Sequence, residues 1–312
     1  MSYVDEMFAE SCINVIYHGF SDEGFDVRPK WEDGTPAHTK AIYQVAQRYQ
    51  LAPDRIPVLT VRKLAFKNAV DEILWIYQKK SNQIKDLHSH IWDSWADENG
   101  TIGKAYGYQI GRQFKHHKYH RDSEVRICEY DQYPSIRIGS DGWVWMDQMD
   151  AVLWSLKHNP ADRAIMMNMY NHADLAEMGL RPCAYSISFQ VHKDRESDRL
   201  VLDAILNQRS QDVLTANNWN VAQYSVLVQM IAQVCGMIPG QLLHVVANYH
   251  IYDRHIPIVK KLIAKVDAGE DFLDPTFYIN PDVKNFYDFK LDDFELRDYQ
   301  YCEFTDKIEV AI

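Results

Sequence analysis

Residues 177–191, "EMGLRPCAYSISFQV", place a cysteine directly after a proline, at the mouth of an alternating run. Cys183, Tyr185, Ile187, Phe189 and Val191 fall on one face and Ala184, Ser186, Ser188 and Gln190 on the other, the period of a β-strand. The charged turn "HKDRESD" (192–198) leads into a second strand, "RLVLDAILNQRS" (199–210). Residues 220–235 follow as a helix, with Val221, Tyr224, Val228, Ile231 and Cys235 along one stripe and Gly236 as its stop. A strand at 241–252 and a helix near 254–267 continue the pattern.

Upstream, Val4, Met7, Phe8, Cys12, Val15 and Ile16 repeat at helical spacing and end at Gly19. Residues 21–39 carry turn signals at Asp33-Gly34 and Pro36 and read as an irregular loop. A second helix is predicted over 65–79, a short helix and glycine-bearing loop over 90–107, a helix near 145–157 and a strand at 163–170. Residues 112–142 are polar, histidine-bearing and poorly periodic, and read as an insertion. Strands and helices mixed without regular βαβ alternation predict an α+β fold. We expect one domain over 1–312, with the insertion at about 112–142.

The chain has 312 residues, 46% of them hydrophobic, and a formal net charge of −11. Such a surface repels polyanions, so broad nucleic-acid binding is not expected. A small anionic ligand would need a concentrated cationic pocket, which makes arginines in apolar surroundings informative. No apolar run reaches the roughly 18 residues of a membrane span, and the N-terminus lacks the pattern of a signal peptide. Five cysteines (12, 128, 183, 235, 302) form no CxxC pair. That fits a reducing cytoplasm better than a disulfide framework.

The chemical candidates each carry a plain reading beside a functional one. Cys183 is equally a small apolar residue on a core face and a thiolate favoured by Arg181 and Arg209. Glu72 in "DEILWIY" is either the exposed edge of a helix or a desolvated carboxyl suited to proton transfer. In "NQRSQDV", Arg209, Ser210 and Asp212 form either a solvated strand end or an anion clamp. His250 and Tyr252 share a strand face, as a packing pair or as ligand contacts. The histidines of "HSH" (88, 90) and "HHKYH" (116, 117, 120) lack a carboxylate or cysteine at ligand spacing, so no metal is expected.

In order along the chain stand "FDVRPKW", "DEILWIY", "HIWDSWADENGTIGKAYG", "DRAIMMNMYN", "RPCAYSISFQV", "NQRSQDV", "NNWNVAQY", "NYHIYDRH" and a terminal "VAI". This series resembles the thymidylate synthase family, from the first helix to Ile312, with extra residues mainly at 112–142 and in the 192–199 turn. The resemblance implies a three-layer α+β fold whose twisted mixed sheet forms a homodimer interface. It implies reductive methylation of dUMP to dTMP with 5,10-methylenetetrahydrofolate as co-substrate, leaving dihydrofolate. Cys183 would add to uracil C6, making C5 a carbon nucleophile. Glu72 would organise water and proton transfers, and Tyr106 would help remove the C5 proton. Arg28, Arg209 and Ser210 match the phosphate grip, with Gln211 beside them, and Arg163 matches an arginine lent across the dimer. Arg209 would also help hold Cys183 as thiolate. Asn220 matches the reader of the uracil edge, where an aspartate would favour cytosine. Asp212 matches catalytic, dUMP and folate contacts, His250 and Tyr252 the deoxyribose contacts, and Ile91, Trp92 and Ala311 the folate site. The C-terminal residues are expected to close over that site.

The sequence also departs from the family pattern. Ala164 stands where a second arginine is usual, and Ala184 where a histidine commonly follows the nucleophile; a subgroup has an apolar residue there. Asn248 replaces a common aspartate, Ala216 a common glycine, and "NNWN" a proline-containing approach to Asn220. "RPKWEDGTPAHT" replaces the glycine-threonine loop after the first arginine. The rival readings are a dUMP hydroxymethylase on the same fold, a thiol hydrolase using Cys183, His250 and Asn220, and a binding protein whose phosphate site has decayed at Ala164.

Overall fold

The strand that begins beside Cys183 lies inside a mixed sheet of seven strands in a computed structural model of the chain, which describes residues 2–119, 132–269 and 272–312. Helix α1 (Tyr3–His18) ends at Gly19 and leads through β1 (Phe20–Ser21) to β2 (Thr39–Gln50). Helix α2 (Phe66–Ile73) runs on into a π turn, Leu74–Gln78, and a one-turn helix α3 (Gly107–Ile110) follows the 90–107 loop. Beyond it come β3 (Phe114–Lys118), β4 (Arg137–Ile138), β5 (Trp143–Met146) and α4 (Gln148–His158). Then follow β6 (Met166–Asn168), β7 (Ala184–Lys193), β8 (Leu200–Gln208), β9 (Gln211–Asp212) and α5 (Asn218–Val234). The chain ends with β10 (Ile238–Tyr252), α6 (Ile256–Asp267) and an antiparallel pair, β11 (Thr276–Ile279) with β12 (Phe294–Arg297).

The large sheet has the order β1-β2-β10-β8-β7-β6, with β9 also paired to β10. Strands β10 and β8 run parallel; β2 with β10, β7 with β8 and β6 with β7 run antiparallel. Registered partners lie on one face, so Tyr49, Leu242, Ala204 and Phe189 form a core-facing row. Helices α1 and α5 cover that face, and α2 packs outside α5. The result is the expected α+β architecture of sheet, helix layer and outer helix layer.

Two local readings are corrected. Strand β7 contains a bulge between Ala184 and Ser186 relative to β8, so the alternation that put Cys183 and Tyr185 in phase with Ile187 and Phe189 is broken. Ala184, Ser186, Ile187 and Phe189 are the buried residues. A bulge gives one strand an extra residue and re-aims the side chains beside it. Gly19 ends α1 as expected, in an extended conformation at φ −72, where an added Cβ would stand 2.3 Å from the Val15 carbonyl oxygen. Gly236, at φ +69, is the left-handed stop expected of it. The strand predicted at 163–170 shrinks to Met166–Asn168, because Asp162 Oδ1 accepts the Ala164 N–H in a turn ahead of it. Arg163 and Ala164 are therefore exposed.

The described part of the 112–142 segment supplies β3 and β4, which pair antiparallel on either side of β5 in a small sheet; His120 and Cys128 lie outside the described residues. Strand β2 had no counterpart in the sequence reading. Its core face carries Gln47 between Ala41 and Tyr49, and Gln47 is buried by pairing with Ser11 Oγ and the Tyr49 hydroxyl. A satisfied glutamine in the core hides the period-two signal. Among the described residues no helix is long and apolar enough to cross a membrane.

Candidate active site

Cys183 opens into a cavity of about 570 Å³ at the end of the sheet where β7, β8 and β10 meet the start of α5. Two π turns flank it: Leu74–Gln78 just after Glu72, and Val213–Asn217 just before Asn220. Such turns widen a helix by one residue and recur at functional sites. Thirteen of the fifteen residues named from the sequence line this one space: Arg28, Glu72, Ile91, Trp92, Tyr106 and Cys183, then Arg209, Ser210, Asp212, Asn220, His250, Tyr252 and Ala311. Gln211 is buried behind it, its Nε2 donating to the Asp212 carbonyl at 3.1 Å. Arg163 is exposed and is not part of the cavity lining of its own chain.

The sulfur is held by its backbone. The Cys183 N–H donates to Tyr106 Oη at 3.1 Å, and its carbonyl accepts the Arg209 N–H at 2.9 Å. Tyr106 reaches it from φ +43, ψ −105, a strained conformation for a tyrosine that costs about 1–3 kcal/mol. Gly107 beside it has no room for a Cβ, which would meet Ser81 O at 2.2 Å. Arg209 bonds the carbonyls of Pro182 and Arg181 through Nε and Nη2, and Nη2 stands 3.6 Å from Cys183 Sγ. Burial pushes the thiol above its ordinary value, while Arg209 and Arg28 pull it down and do not fully offset the burial. The guanidinium is thus where the sequence put it, yet the thiol form is still favoured at neutral pH.

Glu72 is not a helix edge; only 6% of it is exposed. Its Oε1 accepts Trp92 Nε1 at 2.6 Å, and its Oε2 accepts Trp219 Nε1 at 2.6 Å and Gln223 Nε2 at 2.7 Å. Burial raises its pKa, the three donors oppose the rise, and Asp71 adds to it. The carboxyl is therefore poised to take up and release a proton.

From Glu72 a line of amides runs to Asn220 and beyond. Gln223 Oε1 accepts Asn220 Nδ2 at 3.2 Å, and Asn220 Oδ1 accepts Gln208 Nε2 at 3.2 Å. Gln208 Oε1 meets His244 Nε2 at 2.9 Å. A carboxylate can only accept, so Gln223 must turn its NH₂ to Glu72 and its oxygen to Asn220, and every later amide is oriented in turn. Asn220 keeps one N–H and one oxygen lone pair for a ligand in the cavity.

At the other wall, His250 Nδ1 pairs with Asn248 Oδ1 at 2.8 Å, and the Tyr252 ring stands edge-on to it at 5.2 Å. Asn248 thus does the orienting work of an aspartate without its charge, and burial lowers the histidine pKa. Asp212 accepts Leu214 N–H, Thr215 N–H and Thr215 Oγ1, capping the second π turn. Val310 and Ala311, next to the C-terminus, line the cavity. Ile312 and Lys30 exchange backbone bonds at 2.9 and 3.0 Å, and the Glu309 carbonyl accepts His255 Nε2 at 2.8 Å. His88 and His90 pair with Asp71 and Asp93. No group of three or more metal-ligating side chains occurs among the described residues.

Trp219, Gln223, Gln208 and His244 were not singled out in the sequence. Helix α5 is buried on nearly all sides, so its polar residues do not stand out by period. The available signal was chemical: Trp219 and Gln223 are four apart, hence on one face, and flank Asn220.

The comparisons agree with this geometry. The family model described as thymidylate synthase matches residues 6–312. A thymidylate synthase of Bacillus licheniformis is 38% identical over 318 residues, covering all of both chains, and thymidylate synthase 1 of Bacillus subtilis is 37% identical over the same span. The solved structure of thermostable thymidylate synthase A from Bacillus subtilis superposes with a TM-score of 0.81 at 36% identity, again over the whole of both chains. Likeness in sequence and fold over the full chain, with a cavity that gathers the expected side chains, leads to one assignment: the chain belongs to the thymidylate synthase family.

Proposed function

We propose that the protein converts dUMP to dTMP with 5,10-methylenetetrahydrofolate, through covalent attack of Cys183. The carrying observation is that one cavity holds Cys183, Glu72, Arg209 and Asn220 together. Arg28, Arg209 and Ser210 would bind the phosphate, giving the acidic protein the cationic pocket it needs. Asn220 offers a donor to uracil O4 and an acceptor to N3–H. The sulfur gives its proton to water in the cavity and forms a bond to C6, and the C5–C6 π pair moves toward O4. Glu72 exchanges a proton with O4 through water, and Tyr106, beside the sulfur, helps accept the C5 proton. The apolar walls of Ile91, Trp92, Trp95 and Leu180 suit a flat heteroaromatic ring. The folate supplies the one-carbon unit and the hydride. Expulsion of the sulfur restores the C5–C6 double bond.

Tritium release from [5-³H]dUMP with methylenetetrahydrofolate, read beside the absorbance of dihydrofolate, tests this. Equal amounts of both are expected. Tritium release with tetrahydrofolate returned instead would make the protein the hydroxymethylase. Methylation needs water kept from the reactive exocyclic carbon, and the C-terminal residues Val310 and Ala311, which line the cavity, are the segment that would exclude it. The hydrolase reading has little support: His250 is engaged with Asn248, and the side chain bonded to the sulfur, at 3.6 Å, is Arg209.

The homodimer is part of the same reading. Leu243, Ile205 and Met166 share the sheet face away from the helices, and Met166 is 49% exposed. Arg163 lies three residues before Met166, exposed and with only Ala164 beside it where a second arginine is usual. A two-fold pairing of these faces would carry each Arg163 to the other chain's phosphate site. Arg163→Ala and Cys183→Ala are each expected to be nearly inactive. Mixed and allowed to exchange, they should recover about a quarter of wild-type activity, since about half the dimers are mixed and each mixed dimer has one intact site. No recovery despite proven exchange would remove the shared site. We read 1–312 as one domain, with 112–142 as an elaboration, and the free thiols of Cys12, Cys183 and Cys235 support a reducing, cytoplasmic setting.

A further inference from the structure

We propose that Trp219 is a positioning residue for the reaction: its indole N–H grips one oxygen of Glu72 while Trp92 grips the other, and the pair hold that carboxyl ionised and in one plane. The inference rests on the proton-transfer role proposed for Glu72. In the sequence, "NNWN" stood out only as a departure before Asn220, with no task for its tryptophan.

The geometry is specific. Two indole donors sit at 2.6 Å, one on each oxygen, and come from different parts of the chain, the 90–107 loop and the first turn of α5. An indole N–H donates and never accepts, so it bonds only the acceptor form of a carboxyl oxygen. Gln223 shares Oε2, but its amide must also serve Asn220, so it is not free to follow Glu72. Trp219 is half-buried and lines the cavity, so its ring also forms wall on the side of Ala216 and Thr215. A phenylalanine would keep that wall and remove only the donor.

The groups that face Glu72 come from several elements. Asp71, on its own helix, disfavours its charge and is itself bonded to His88. Tyr106 from the 90–107 loop and Tyr224 from α5 are neutral hydroxyls, disfavoured from ionising chiefly by burial and further by Glu72. Cys183 completes the set across the cavity. No cation stands among these neighbours, so neutral N–H donors carry the compensation. Removing one donor favours the protonated carboxyl. If the carboxylate starts the cycle, the acid limb of the pH profile moves up.

The test is the pH dependence of kcat/KM for tritium release from [5-³H]dUMP, in wild type and Trp219→Phe. The acid limb should move to higher pH, so that on it the variant loses about tenfold more activity than at the optimum, the size of one hydrogen bond to a charged group. KM for dUMP should change less than kcat. An acid limb that overlays wild type, or moves to lower pH, overturns the inference. Wild type without any tritium release would instead remove the proposed function itself. Indole ¹⁵N-labelling gives a second readout on the wild-type enzyme, among eight tryptophans. The Trp219 N–H resonance, assigned by its loss in Trp219→Phe, or in Trp219→Tyr should the first variant not fold, should titrate with the midpoint of the acid limb. A resonance that does not titrate also overturns it.

Discussion

Cys183→Ala will fold, bind dUMP and turn over at no more than about 10⁻⁴ of the wild-type rate, the scale on which removal of a covalent nucleophile is felt. The substitution removes one sulfur from a half-buried position facing a cavity, so the core loses little packing. The backbone bonds from Tyr106 Oη and to the Arg209 N–H do not depend on the side chain. Stability should change by about 1 kcal/mol or less. Arg209 still bonds the carbonyls of residues 181 and 182, so the phosphate grip keeps its place. Calorimetry with dUMP should therefore report binding within a few-fold of wild type, while tritium release disappears. Turnover within tenfold of wild type would mean that the sulfur is not the attacking atom. A loss of dUMP binding together with turnover would instead make Cys183 a support for Arg209.

How far the sequence foretold this site depends on how each residue is held. Cys183, Arg209 and Asn220 sit in contiguous motifs at the ends of β7, β8 and the start of α5, where element boundaries are marked by turns, and the motifs came together as expected. Glu72 could not be assigned from spacing, since a carboxyl on an apolar helix reads the same whether exposed or buried. Its burial depends on Trp219 and Gln223, some 150 residues away. The thiol was the least legible quantity. Two arginines nearby suggested a lowered pKa, but the balance turned on burial, which no local pattern reports. Strand β2 was hidden by Gln47, and the bulge in β7 by an alternation that looked unbroken. Both are tertiary features, in which a partner from elsewhere in the chain satisfies what local pattern forbids.

The amide line from Glu72 to His244 makes the second large effect, Asn220→Asp, more than a local change. The introduced carboxyl, in its acid form, can donate to cytosine N3 and accept from the 4-amino group, the reverse of what uracil needs. Two reversed hydrogen bonds, at about 2 kcal/mol each, should swing the kcat/KM ratio of dUMP to dCMP by about 10³-fold toward dCMP. The swing has a cost specific to this chain. Gln208 Nε2 still finds an acceptor at position 220, but Gln223 Oε1 now faces an oxygen at 3.2 Å. Turning the Gln223 amide relieves that contact and sets its oxygen against Glu72 Oε2, where a donor stood at 2.7 Å. Glu72 then loses one of three donors and holds its proton more tightly, so turnover of dCMP by the variant should remain below that of dUMP by the wild type at neutral pH and its acid limb should lie higher. Paired pH profiles on the two nucleotides check both halves. An unchanged base preference would remove Asn220 as the reader of the pyrimidine edge. A full swing with an unmoved acid limb would leave the reader intact and show that Gln223 does not couple it to the carboxyl.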